Sequence, residues 1–208
     1  MELPSRDKNG ICYLSYSAIN TFLKDKNQFI KTYILKDPFI GNEYTEFGVK
    51  VGKAIESNNY ELFNDNEIKI LNKVTRLDLF EKKTIINYDS FYIIGYIDSC
   101  SSDLTKIIDY KTGGRFKEYQ YYDNDYVQLC YYAIGIKQEY GIIVKEASVE
   151  FIRRIGSLKT GLFVSNEDPI KININIEEKR LSNVYYTTIK IAKEIECFYK
   201  NYIKLNNI

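Results

Sequence analysis

Apolar and polar positions alternate most strictly late in the chain, where Ile170, Ile172, Ile174 and Ile176 are separated by polar residues. A repeat of two belongs to a strand with one buried face, so 169–176 is predicted as a half-buried strand. The period then changes. Leu181, Val184, Thr188, Ile191, Ile195 and Phe198 recur every three or four residues, predicting one long amphipathic helix over 177–203. Near the start, Ile19, Phe22, Leu23, Phe29, Ile30 and Tyr33 keep a similar spacing. They predict a helix opening in Tyr13–Ile19, with Ser15 or Ser17 as its N-cap, and ending at Asp37-Pro38. Further helices are predicted over 47–56 and from about Asp125 to Tyr140, with helix then loop in the polar stretch 57–75. Aromatic and β-branched runs predict strands at 76–87, 91–98, 106–112 and 147–155, the last pairing with 160–165. This order suits an α/β fold with a mixed central β-sheet flanked by helices.

The chain has 208 residues, enough for one domain with a substantial core. The expected organisation is a single unit with an N-terminal helical part (about 13–75), a central core (about 76–155) and a C-terminal hairpin and long helix (about 156–208). The absence of histidine removes histidine-based triads, histidine-ligated zinc and histidine general bases together. Acid–base or metal chemistry must then use Asp, Glu, Lys, Tyr or Cys. Cys12, Cys100, Cys130 and Cys197 are scattered, with no Cys-x-x-Cys, so reduced thiols are expected. The N-terminus lacks an apolar signal core, and no apolar run approaches the ~18 residues of a spanning helix, so a soluble, cytoplasmic protein is expected. With 29 basic and 28 acidic residues, the net charge of +1 argues neither for nor against nucleic acid. Lys, Asn, Ile and Tyr, whose codons are AT-rich, are abundant, so the 20 tyrosines can reflect coding composition rather than chemistry.

One stretch concentrates charge inside a strand pattern. Gly95-Tyr96-Ile97-Asp98 is followed by a polar turn at 99–105 and by Lys106-Ile107-Ile108-Asp109-Tyr110-Lys111-Thr112-Gly113. Strand alternation puts Asp109 and Lys111 on one face, and a hairpin can set Asp98 across from Asp109. Adjacent carboxylates repel unless compensated, and a hard divalent cation, Mg²⁺ or Mn²⁺, is the usual compensation. The plain alternative is a surface hairpin in which Asp98 starts the turn and Asp109 and Lys111 form an exposed ion pair.

Gly-x-x-Asp followed by Ile-Ile-Asp-Tyr-Lys-Thr-Gly resembles the core of the PD-(D/E)XK nuclease superfamily, and of its RecB-type branch in particular. The resemblance continues in a Leu-Ser-x-Ser-x-Ile start at Leu14–Ile19, a Gly52-Lys-Ala-Ile-Glu56 helix end, and Gln128-Leu-Cys-Tyr-Tyr132 after the hairpin. It implies a restriction-endonuclease-like core and metal-dependent hydrolysis of DNA. Asp98, Asp109, Glu56 and the carbonyl of Tyr110 are implied as ligands of Mg²⁺ or Mn²⁺, and Lys111 as the group that orients the attacking water. Glu56 stands where RecB-type relatives carry histidine, but lambda-exonuclease-like relatives use a glutamate there; an ordinary exposed helical glutamate is the alternative. Gln128 and Tyr132 share a helix face; the resemblance implies that they hold DNA, whereas core packing with Leu129, Ala133 and Ile136 would suffice for Tyr132. Glu81 takes a minor, structural role. Arg153 and Arg154 are candidate phosphate contacts or simply solvated. Asp25-Lys26 replaces the Cys-Pro pair of iron–sulfur members, so no cluster is expected. The implied partners are single-stranded DNA or duplex ends and a helicase or recombination protein, and the implied role is an exonuclease in recombination, repair or phage or CRISPR DNA processing. A non-catalytic DNA-binding or scaffold subunit on the same fold is the alternative, and the retention of Asp98, Asp109 and Lys111 favours activity.

Overall fold

A computed structural model describes residues 1–38, 41–122 and 126–207. At its centre is a mixed sheet of seven strands: β1 Tyr13–Ser15, β2 Leu79–Asn87, β3 Tyr92–Cys100, β4 Lys106–Gly113, β5 Glu146–Ser157, β6 Gly161–Val164 and β7 Ile170–Asn173. Its helices are α1 Tyr16–Lys24, α2 Lys26–Phe29, α3 Glu43–Ser57, α4 Asp65–Leu71, α5 Gln128–Tyr140 and α6 Glu178–Asn206. A π-helical turn, Ile30–Ile34, follows α2, and a 3₁₀ segment, Lys117–Tyr121, follows β4.

The pairing of β3 shapes the site. One edge is covered by β2 over nearly its whole length, antiparallel, from Tyr92 to Cys100. The other edge is shared. Parallel β1 pairs with Tyr92–Ile94, and antiparallel β4 joins only at Ser99 and Cys100. Between them the sheet forks, and residues 95–98 carry no strand partner on that side. Continuing the register Ser99↔Ile108 by one step sets Asp98 opposite Asp109, at the root of the fork. β5 lies parallel to β4 along its length, as a strand buried among helices should.

Apolar side chains divide over the two faces. α1, α5 and α6 cover one, through Ile19, Phe22, Tyr131 and Ile195, and through Leu129, Ile97, Ile107 and Phe151. α3 and α4 cover the other with Phe47, Val51, Ile55 and Leu71, packed on Ile152 and Val164. Among the described residues no helix is long and apolar enough to cross a membrane.

Several sequence expectations change. Tyr13–Ser15 is a strand and not the opening of a helix, because parallel pairing with β3 buries Leu14. Ser15 is the N-cap, accepting from the Ala18 amide. The predicted helix to Asp37 breaks at Asp25, which is extended (φ −151°); its carboxylate accepts from the Gln28 amide and starts α2. The polar turn begins later than Ser99, since β3 runs through Cys100. The expected start of the third helix at Asp125 lies outside the described residues; α5 is described from Gln128.

Candidate active site

Asp98 occupies the fork. Its Oδ2 accepts the backbone N–H of Tyr110 at 2.8 Å, so a carboxylate stands in for the missing ladder partner. The alternation of β3 slips at the same place, since Ile97 and Cys100 both reach the core beneath α5. Opposite Asp98 in the β2 register stands Glu81, with φ +48°, a left-handed conformation rare for a non-glycine residue. Such backbone strain clusters at functional sites and costs about 1–3 kcal/mol.

Asp109 is fully buried. The Lys111 ammonium lies 2.9 Å from its Oδ1 and 2.7 Å from its Oδ2, and the Tyr126 hydroxyl donates to Oδ2 at 2.8 Å. The same hydroxyl lies 3.2 Å from the Gln128 side-chain carbonyl, and the Gln128 amide donates to the Tyr132 hydroxyl at 2.7 Å. Gln128 and Tyr132 do share a face, and that face continues through Tyr126 to Asp109. Tyr132 is 4% exposed and packs in the core with Leu129, Ala133 and Ile136, so its hydroxyl meets Gln128 instead of the surface. Its ring lies against Gly95, where an added Cβ would come within 2.5 Å of Cε1; this explains the glycine three residues before Asp98.

On the α3 side a cavity of about 790 Å³ is lined by Glu56, Glu81, Asp98, Lys111, Tyr110 and Arg154, among others. Glu56 reaches it from the last turn of α3. Arg76 fixes that turn by donating to the carbonyls of Ile55 (2.6 Å) and Glu56 (3.0 Å). Arg154 lies 4.0 Å from the Tyr44 ring centroid in the same wall. Arg153 turns elsewhere and is paired with Glu118 and Glu167.

The electrostatics record the crowding of acids. Burial, then the charge of Asp109, pushes the Asp98 carboxyl up to about 7, against the pull of Lys111 and the Tyr110 amide. Burial and the charge of Glu56 raise Glu81. Burial lowers the Lys111 ammonium, but Asp109 and Asp98 outweigh it and hold its pKa above the ordinary value. Tyr126 is raised well above the phenol range by burial and Asp109, so it remains a donor.

Among the described residues no three carboxylate or thiol side chains stand close enough to hold a metal ion. Magnesium does not require such a cage: it keeps several waters and takes one or two carboxylates. The donors around this cavity are all hard oxygens, and Asp98 carries a repulsion that a cation would relieve. In donor chemistry the site fits Mg²⁺ or Mn²⁺. The sequence pattern does not mark Tyr126, and it understates Glu81.

No family model matches the chain, and no curated protein is similar to it in sequence. Among solved structures it is similar to that of a Eubacterium rectale protein named "putative exonuclease". The TM-score is 0.61 at 11% identity, covering 91% of this chain and 82% of the other. The two chains share a fold.

Proposed function

We propose that this protein is a metal-dependent nuclease of the PD-(D/E)XK type that hydrolyses DNA phosphodiesters. The observation that carries the reading is the meeting of Asp98, Asp109 and Lys111 at one fork in the sheet, beside a cavity that also holds Glu56 and Glu81. Asp98 and Asp109, with the carbonyl of Tyr110, would supply the one or two carboxylates that Mg²⁺ or Mn²⁺ takes, while Glu56 from α3 and Glu81 from β2 would face the ion through its waters. Such an ion, when bound, acidifies a water and offsets charge on the phosphate and the leaving oxygen. The Lys111 ammonium, 28% exposed at the cavity wall, orients the attacking water and balances negative charge as the phosphorane forms. Arg154, from β5, meets a phosphate in the same cavity. Gln128 and Tyr132 act through Tyr126 to hold Asp109 in place. The exonuclease name of the Eubacterium rectale protein, together with the RecB-type motifs, supports DNA ends as the substrate, in recombination, repair or phage-related DNA processing.

The test uses end-labelled single- and double-stranded DNA with Mg²⁺, Mn²⁺ or EDTA, for the wild type, Asp109→Ala and Lys111→Ala. Metal-dependent cleavage lost in both variants supports the enzyme. Cleavage surviving in both refutes this site, and binding without cleavage makes the protein a scaffold on a nuclease fold.

A further inference from the structure

We infer that the 3₁₀ segment behind the Lys111 strand carries a stacking platform for unpaired bases, so that the strand delivered to the site is single. The choice of ligand rests on the nuclease reading. A 3₁₀ helix has three residues per turn, so side chains at i, i+3 and i+6 fall in one row. Tyr119 lies within the segment, Phe116 and Tyr122 cap its two ends, and the three rings line up next to one another. All three rings face water, at 63%, 62% and 60% exposure. The Phe116 and Tyr119 centroids are 6.1 Å apart with planes 10° from parallel, and those of Tyr119 and Tyr122 are 6.3 Å apart at 40°. Phe116 adopts φ +71° to join the row, another left-handed non-glycine residue.

The inner side of the same segment holds it down. Glu118 is buried and paired with Arg153. Tyr121 packs edge-on against Tyr126 at 5.0 Å, the residue that donates to Asp109, and tilts against Phe151 at 5.8 Å. The outer rings are therefore not required for packing, yet they are fixed to the catalytic strand through rigid neighbours. The Arg115 guanidinium lies 5.5 Å from the Phe116 centroid, and Lys117 follows. From Arg115 to Tyr122 no acidic side chain is exposed, since Glu118 is the only one and it is buried. Exposed ring faces in a row, with Arg115 and Lys117 at its N-terminal end, match what single-stranded nucleic acid requires: bases to stack and phosphates to neutralise. A duplex keeps its bases inside and cannot use the rings.

The experiment measures binding of full-length protein in EDTA to fluorescein-labelled oligo-dT of about 20 nucleotides and to a blunt duplex, by anisotropy. Tyr119→Ser is expected to weaken oligo-dT binding about 10-fold, and the triple variant Phe116→Ser/Tyr119→Ser/Tyr122→Ser more than 100-fold. Duplex affinity and melting temperature should hold in both variants. Tyr119→Trp should restore affinity, with its fluorescence quenched by oligo-dT. Unchanged oligo-dT binding in the triple variant overturns the platform, as does an equal loss on duplex or a wild type that binds neither. If cleavage proves metal-dependent but indifferent to the rings, the platform falls alone. If no cleavage occurs and ring-dependent binding remains, the nuclease reading falls alone.

Discussion

The Tyr126 hydroxyl and the Lys111 ammonium converge on a single oxygen, Oδ2 of Asp109, at 2.8 Å and 2.7 Å. A fully buried carboxylate is thus held by one neutral and one charged donor, the arrangement that lets such a charge stay out of water. Tyr126→Phe removes the neutral donor and keeps the ring. The expected loss is about 2 kcal/mol, or roughly 4–8 °C in melting temperature for a chain of this size. A melting temperature unchanged within a degree in calorimetry would mean that Tyr126 does not support Asp109.

Asp98 makes stability depend on pH. Its carboxyl titrates near 7 in the native state and near the ordinary 3.8 when unfolded. Between these values the native state binds the extra proton, so the stability it contributes is present below pH 4 and is lost as pH rises toward 7. Metal-free protein should lose this contribution over that window, and Asp98→Asn should flatten the slope. Denaturant titrations at pH 5, 6 and 7.5 measure it. A wild-type slope matching that of Asp98→Asn would show that Asp98 is not the titrating group.

Mg²⁺ should act in the opposite sense. A cation binds ionised carboxylates, so its affinity by calorimetry should rise between pH 6 and pH 8 in the wild type and fall at least tenfold in Asp98→Asn. Affinity that is flat across this range, or intact in the variant, places the ion elsewhere.

Glu81 couples strain to charge. Asparagine tolerates φ near +48° better than glutamate does and carries no charge. Glu81→Asn should therefore raise thermal stability slightly, by up to about 1 kcal/mol, while weakening Mg²⁺ binding. A variant that melts lower than the wild type would contradict the strain assigned to this residue.

Gly95→Ala sets a methyl group against the Tyr132 ring, which is buried and cannot swing away freely. Overpacking of this kind costs about 1–3 kcal/mol. The Gln128 to Tyr132 hydrogen bond should weaken with it, visible as faster exchange of the Gln128 side-chain amide in NMR spectra. Normal stability and exchange would show that the ring has room to move.

Much of the framework was legible from periodicity. The alternation around Asp109 and Lys111 predicted their common face, and the i, i+4 spacing of Gln128 and Tyr132 predicted theirs, since both depend on neighbours within one element. Long-range features left no local signal. β1 pairs with a strand about eighty residues later, so Tyr13–Ser15 was absorbed into the helical spacing that follows it. Tyr126 lies in a connector with no repeat, and only the docking of α5 on β4 brings its hydroxyl to Asp109. Glu81 looked ordinary because a backbone angle leaves no mark on composition. Tyr119 and Tyr122 are two of 20 tyrosines, so the sequence marks them only as part of an aromatic connector.

The fork in β3 bears on how the site is anchored. Its two lips belong to different strands, β1 running into α1 on one side and β4 backed by β5 on the other. Across the gap Asp98 reaches β4 through its side chain, at the Tyr110 amide, so an apolar replacement would remove a cross-strand tie together with a charge.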